Sequence, residues 1–135
     1  CLVGSEMCIR DRLYRMDLIT KFLTLHNQLK VYHFQTDSYA QHQAFGGAYN
    51  EFTDLIDTFI EEFMGQYSRI MNKDGFKVEL YNITDKDPDK FIEEYISFLV
   101  TELPKGLKET DTNLLNIRDE MLSELQKLKY LLTLK

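Results

Sequence analysis

The sequence has no cysteine beyond residue 8, no long hydrophobic run and no excess of basic charge. Cys1 and Cys8 are its only cysteines, so the remainder offers neither a disulfide framework nor a thiolate metal site. A transmembrane helix needs about 20 consecutive apolar residues, which no stretch provides. The formal net charge of −6 disfavours general binding to DNA, whose phosphate backbone attracts basic surfaces. These absences together favour a cytoplasmic protein that binds neither membrane nor DNA.

Residues 1–12 show neither helical nor strand periodicity. They resemble the translation of a transposase-type sequencing adapter, so we expect a non-native segment left in a gene assembled from environmental DNA. Their removal leaves the net charge unchanged, because two basic and two acidic residues are lost. Residues 13–135 form one domain by length.

Apolar residues at helical spacing predict four helices, over residues 13–34, 38–67, 88–103 and 111–134. Ser38 is predicted to cap the second helix, and Asp87 with Pro88 opens the third. The connection at residues 35–37 is short, so the first two helices should form an antiparallel hairpin. Residues 77–81 alternate like a strand but have no partner strand, which favours an extended loop. The predicted fold is an all-α four-helix bundle.

The second predicted helix carries a narrow polar stripe beside its apolar face, with His42, Asp57 and Glu61 among its members. Because a helix rises about 1.5 Å per residue, His42 lies about 22 Å from Asp57 within one chain. Two such helices packed antiparallel around a two-fold axis would bring His42 of one chain close to both carboxylates of the other. Imidazole and carboxylate together suit Fe(II), Mn(II) or Zn(II). The stripe therefore predicts a homodimer with a metal site between its subunits.

The other two histidines belong to the first predicted helix. His33 lies at its C-terminal end, so the hairpin places it at the same end of the molecule as His42. Two imidazoles of one subunit and two carboxylates of its mate would make a mononuclear or dinuclear iron site. His26 lies among apolar residues and is interpreted as a packed core histidine. Asp57 and Glu61 could instead be an ordinary acidic pair facing solvent.

A family resemblance strengthens the metal hypothesis. The stretch His33-Phe-Gln-Thr-Asp-Ser-Tyr-Ala-Gln-His42, followed by Asp57-x-x-x-Glu61, resembles the Dps mini-ferritins. Their motif has one histidine at the end of the first helix, a second that opens the next helix, and Asp-x-x-x-Glu fifteen residues later. Small ferritin-like proteins of tailed phages carry a similar stretch, and residues 113–125 look like the last helix of the family.

The resemblance implies a ferritin-like four-helix bundle that binds iron through His33, His42, Asp57 and Glu61. It implies oxidation of Fe(II) by peroxide or O₂, that is, ferroxidase activity, with no catalytic residue beyond these ligands. It further implies a homo-oligomer of at least two chains, which could store or detoxify iron if a cage forms. The expected location is the cytoplasm of a bacterial cell or a phage-infected host.

The alternative is a non-catalytic phage or bacterial helical-bundle protein that retains the fold without ferroxidase activity. Two departures from the mini-ferritin pattern favour it. The gap between His33 and His42 is three residues shorter than is typical, and Gly46 stands where some relatives place a further carboxylate. Phe34 also replaces the usual tryptophan. A third reading, a DNA-compacting protein, is disfavoured by the acidic charge.

Overall fold

The computed structural model describes residues 17–135, and that part of the chain is helical with no strand. The all-α prediction is therefore confirmed. The segment of residues 1–12, and residues 13–16 of the first predicted helix, lie outside the described residues. The α-helices are α1 (Leu18–Gln35), α2 (Tyr39–Gln66), α3 (Pro88–Ser97) and α4 (Thr112–Leu131). The third helix continues through a π-helical turn (Phe98–Glu102) and then a 3-10 turn (Leu103–Gly106).

The N-terminal caps follow local side-chain chemistry. Ser38 caps α2 and Asp87 caps α3, each accepting a hydrogen bond from the amide three residues further on, and Pro88 takes the first helical position. Both predicted caps are confirmed. The first helix begins at Leu18, because Asp17 has a left-handed φ of 64° and caps α1 instead of continuing it. The prediction that residue 17 is helical was wrong.

The third helix does not remain α-helical to residue 103 as predicted. The amide of Leu103 bonds to the carbonyl of Phe98, which is the spacing of a π turn. Pro104 has no N–H, so the carbonyl of Leu99 lacks the donor that would come next along the helix. Arg118 of α4 replaces it, with Nη1 donating to that carbonyl at 3.0 Å. The fourth helix also ends three residues early, at residue 131 instead of 134.

The core is built around α2, whose phenylalanines are fully buried. The α1–α2 hairpin forms one half of the bundle, and α4 packs on the other side of α2. Each buried phenylalanine contributes roughly 1.5–3 kcal/mol relative to an exposed side chain. No helix within the described part is long and apolar enough to cross a membrane. The fully buried aromatic side chains are Phe22, Tyr32, Phe45, Phe52, Phe59 and Phe63.

The segment of residues 72–86, called the strap below, connects α2 to α3 along the side of α1. It has no strand, as predicted, but α1 holds it at several points. The fully buried side chain of Gln28 donates to the carbonyl of Tyr81 at 2.9 Å and accepts from its amide at 2.7 Å. Tyr32 Oη donates to the carbonyl of Lys86 at 2.8 Å. The strap is therefore fixed at its C-terminal part by buried polar groups.

Candidate functional site

His33 and His42 form a face-to-face pair where the α1–α2 hairpin turns. Nδ1 of His33 lies 2.8 Å from the main-chain carbonyl oxygen of His42, and Nδ1 of His42 lies 2.9 Å from that of His33. The ring centres are 3.8 Å apart and the planes differ by 19°. The prediction that the hairpin brings the two histidines to the same end is confirmed.

These contacts define the tautomer of both rings. A carbonyl oxygen can only accept, so Nδ1 of His33 and Nδ1 of His42 must each carry the proton. In the neutral ring, the Nε2 lone pair then remains available to a metal ion, which is how metal-binding histidines are commonly oriented. Since the rings are stacked with their planes only 19° apart, the two Nε2 lone pairs lie in nearly parallel planes and do not converge on one ion. The pair therefore fits one ion for each imidazole, or one ion bound by a single imidazole.

Gly46 provides the space for this pair. A Cβ atom on Gly46 would lie 3.0 Å from Cε1 and 3.1 Å from Nδ1 of His33. The absence of a side chain at Gly46 therefore leaves room for the imidazole of His33 against α2. The neighbouring Gly47 has no atom within 4 Å of an equivalent Cβ.

Asp57 and Glu61 lie on the same helix as His42 but towards its other end. Both side chains are exposed, and neither makes a hydrogen bond or an ion pair with another described residue. Among residues 17–135, no three or more His, Cys, Asp or Glu side chains lie close enough to hold a metal ion. A centre that uses both the imidazoles and these carboxylates would therefore need a second chain.

His26 is not the core histidine that the sequence suggested, because its side chain is only partly buried in the seam between α1 and α2. Its Nε2 lies 2.9 Å from Oγ1 of Thr53, and its ring stacks on that of Tyr49 with centres 4.0 Å apart. The Thr53 hydroxyl donates to the Tyr49 carbonyl at 3.0 Å, so it accepts from Nε2–H of His26. The sequence did indicate that His26 lies on the same face of α1 as His33, because the two residues are seven positions apart.

The surface of the α1–α2 hairpin that carries the three histidines differs in charge between its two ends. Burial lowers the pKa of His26, and the Tyr49 carbonyl and the Asp57 carboxylate oppose that effect only in part. The ammonium of Lys30 lies 4.5 Å from the ring centre of Tyr49 and 5.3 Å from that of Phe34. The face thus carries Lys30 and the histidine pair at one end and two carboxylates at the other. Sequence reasoning missed Lys30.

The pattern of the family of unknown function DUF5856 matches residues 33–132, more than half of the chain. The chain belongs to this family. No curated protein and no solved structure matches the chain. The part that matches DUF5856 includes the histidine pair, Gly46 and both carboxylates, together with α2, the strap, α3 and α4.

Proposed function

We propose that this DUF5856 protein is a ferritin-like, Dps-like four-helix bundle that binds Fe(II) between two chains and oxidises it. The observation that carries the proposal is the reciprocal pair of His33 and His42. In both rings Nδ1–H is engaged by a carbonyl oxygen, and Nε2 has no hydrogen-bond partner within the described part of the chain. On the same helix, Asp57 and Glu61 are exposed, and neither has a hydrogen-bond or ion-pair partner among residues 17–135. Imidazole nitrogen with carboxylate oxygen is a donor set that suits iron.

An antiparallel two-fold dimer through α1 and α2 is the arrangement that supplies the missing ligands. In such a dimer, the end that carries Lys30 and the histidine pair faces the acidic end of the other chain. The two ends are therefore complementary in charge, and this complementarity occurs twice by symmetry. Each dimer would hold two equivalent sites, and a larger cage would let the protein store iron.

The residues would have separate roles towards iron as the substrate. Nε2 of His42 would bind one incoming ion and Nε2 of His33 a second, and the Asp57 carboxylate of the other chain would supply an oxygen ligand. Glu61 is the natural bridge if two ions are bound, since a carboxylate has two oxygens. Hard anionic oxygens stabilise the higher charge of Fe(III), so the carboxylates would favour loss of an electron to peroxide or O₂.

A second candidate function is a structural bundle without turnover. The specific observation in its favour is that the hairpin already gives each histidine a role. The His33 carbonyl is one of the unpaired carbonyls at the end of α1, and Nδ1–H of His42 satisfies it. A pair that closes a hairpin needs no metal to account for it.

Complementation between two variants tests the proposal. His42→Ala and Glu61→Ala should each abolish Fe(II) binding and oxidation, and a refolded mixture should recover part of it. In the mixed dimer, one site carries both losses while the other keeps every ligand. Asp54→Ala removes an exposed carboxylate from the same helix and serves as the control with unchanged binding.

The alternatives give different results. Wild-type protein that binds no Fe(II) under anaerobic conditions would favour the structural bundle. Binding that survives Glu61→Ala would place the iron elsewhere. Loss in both variants without recovery on mixing would rule out a site divided between chains.

A further inference from the structure

Three alternate residues of the strap line a cavity on the surface of the molecule. Lys77, Glu79 and Tyr81 border a space of about 320 Å³ between the strap, α1 and α3. All three side chains are exposed, whereas Val78 between them is partly buried. The cavity is therefore open to solvent on the side of the strap and is lined there by two charged groups and an aromatic ring.

The walls of this cavity carry more positive than negative charge. The ammonium of Lys86 is paired with the Glu94 carboxylate at 2.6 Å. That of Lys21 lies 5.1 Å from the ring centre of Phe98 and makes no ion pair with any described residue. Lys77 has no ion pair there either. Two ammonium groups thus remain against the single carboxylate of Glu79.

The cavity also has a rigid frame. Burial accounts for most of the raised pKa of Tyr95, whose hydroxyl donates to the carbonyl of Lys21 at 2.8 Å and ties α3 to α1. Gln28 holds the strap at Tyr81, whose ring is 42% exposed and forms part of the wall. A guest would therefore enter a preformed space and would not have to order the strap first.

We infer that this cavity binds a small organic phosphate, of the size of a nucleoside or sugar monophosphate. The phosphate group would lie between the ammonium groups of Lys21 and Lys77, which match its charge. Glu79 would accept from a hydroxyl group of the guest, as carboxylates do from ribose hydroxyls. The Tyr81 ring offers a flat surface to the remainder. This site lies on the α1–α3 side of the molecule and does not depend on the proposed iron centre.

Titration of the full chain with adenosine monophosphate, inorganic phosphate and adenosine tests the inference by NMR chemical shifts and calorimetry. We expect saturable binding of the monophosphate with shifts at the strap and α1, weaker binding of phosphate, and little effect of adenosine. Lys21→Met and Lys77→Met should each weaken monophosphate binding about tenfold, because each removes a charge-assisted contact. Lys73→Met, in the same strap but outside the cavity lining, is the matched control and should bind like wild type.

Three results would overturn the inference: no saturable binding of either phosphate compound at millimolar concentration, equal weakening by Lys73→Met, or adenosine binding as tightly as its monophosphate. Thermal melting by circular dichroism shows whether each variant is folded. If Lys21→Met does not fold, Lys77→Met decides alone, since its side chain lies on the exposed strap.

Discussion

The rings of His33 and His42 stack with centres 3.8 Å apart, and each donates its Nδ1 proton to the main chain of the other residue. The exchange is nearly symmetric, and it joins the last turn of α1 to the first turn of α2. It holds both imidazoles with Nε2 directed away from the carbonyl partners. The orientation of the rings is thus determined by the hairpin itself and requires no further element of the fold.

We expect Gly46→Ala and Gly47→Ala to have opposite effects on stability. Replacing a glycine inside a helix by alanine normally stabilises by about 0.5–1 kcal/mol, and Gly47→Ala should show this gain. At Gly46 the new methyl group would press on the body of the His33 ring. Loss of one ring–carbonyl bond costs about 1 kcal/mol, so this variant should be the less stable of the two. Urea unfolding measures both, and equal stability would contradict the role given to Gly46.

The proposed dimer predicts which residues lie at its two-fold axis. If His42 of one chain faces Asp57 of the other, the midpoint along α2 lies beside Tyr49. In a chain with Cys1→Ser and Cys8→Ser, Tyr49→Cys should therefore cross-link to its own copy with a short bifunctional thiol reagent. Thr53→Cys, one turn away, should do the same if Tyr49→Cys is unstable.

Phe34→Cys in the same cysteine-free background is the control for that experiment. This side chain is 70% exposed and lies at the histidine end, so its thiol should react readily. In an antiparallel dimer the two copies of residue 34 lie at opposite ends, so no cross-link should form between them. Cross-linking of both Phe34→Cys and Tyr49→Cys to their own copies would indicate that the two chains pack in parallel. Sedimentation of the protein as a monomer would exclude a metal site shared between chains.

Stability should depend on pH through His26. Burial lowers its pKa in the folded state below the unperturbed 6.5. As the pH falls below 6.5, the unfolded chain takes up this proton before the folded chain does, so stability is lost towards acid. Between about pH 7.5 and pH 5.5 the melting temperature of wild type should therefore drop more than that of His26→Gln, which keeps a donor for Thr53. Parallel melting curves for the two proteins would show that His26 has no such effect.

Gln28→Leu should loosen the strap. The change keeps the side-chain volume but leaves the amide and the carbonyl of Tyr81 without their buried partner, which costs about 2 kcal/mol or more. Hydrogen exchange at residues 77–83 should become faster while the α1–α2 hairpin stays protected. Gln126→Leu changes an exposed glutamine of α4 and should alter neither. Unchanged exchange in Gln28→Leu would mean that other contacts hold the strap.

Features with a local chemical cause could be predicted from the sequence. Ser38 and Asp87 cap helices because their side-chain oxygens reach amides three residues away, and such contacts need no distant residue. The same-end placement of His33 and His42 followed from a turn of three residues. The buried phenylalanines of α2 followed from helical periodicity alone.

Features that join distant parts of the chain could not be predicted in the same way. The π turn depends on Arg118 satisfying the carbonyl of Leu99, nineteen residues earlier. The position of the strap against α1 depends on Gln28, which binds the main chain of Tyr81 fifty-three residues later. His26 was assigned to the core because its neighbours in sequence are apolar, whereas its place in the seam is defined by Thr53 on the next helix.

The separation of His42 from Asp57 along one straight helix has a consequence for measurement. A centre divided between two chains exists only in the dimer. When most chains are monomers, the concentration of such centres would therefore rise with the square of the chain concentration. Activity per chain would then fall on dilution and recover on concentration, with no change in the fold of either chain. Solutions of different protein concentration would therefore give different apparent rates of Fe(II) oxidation per chain.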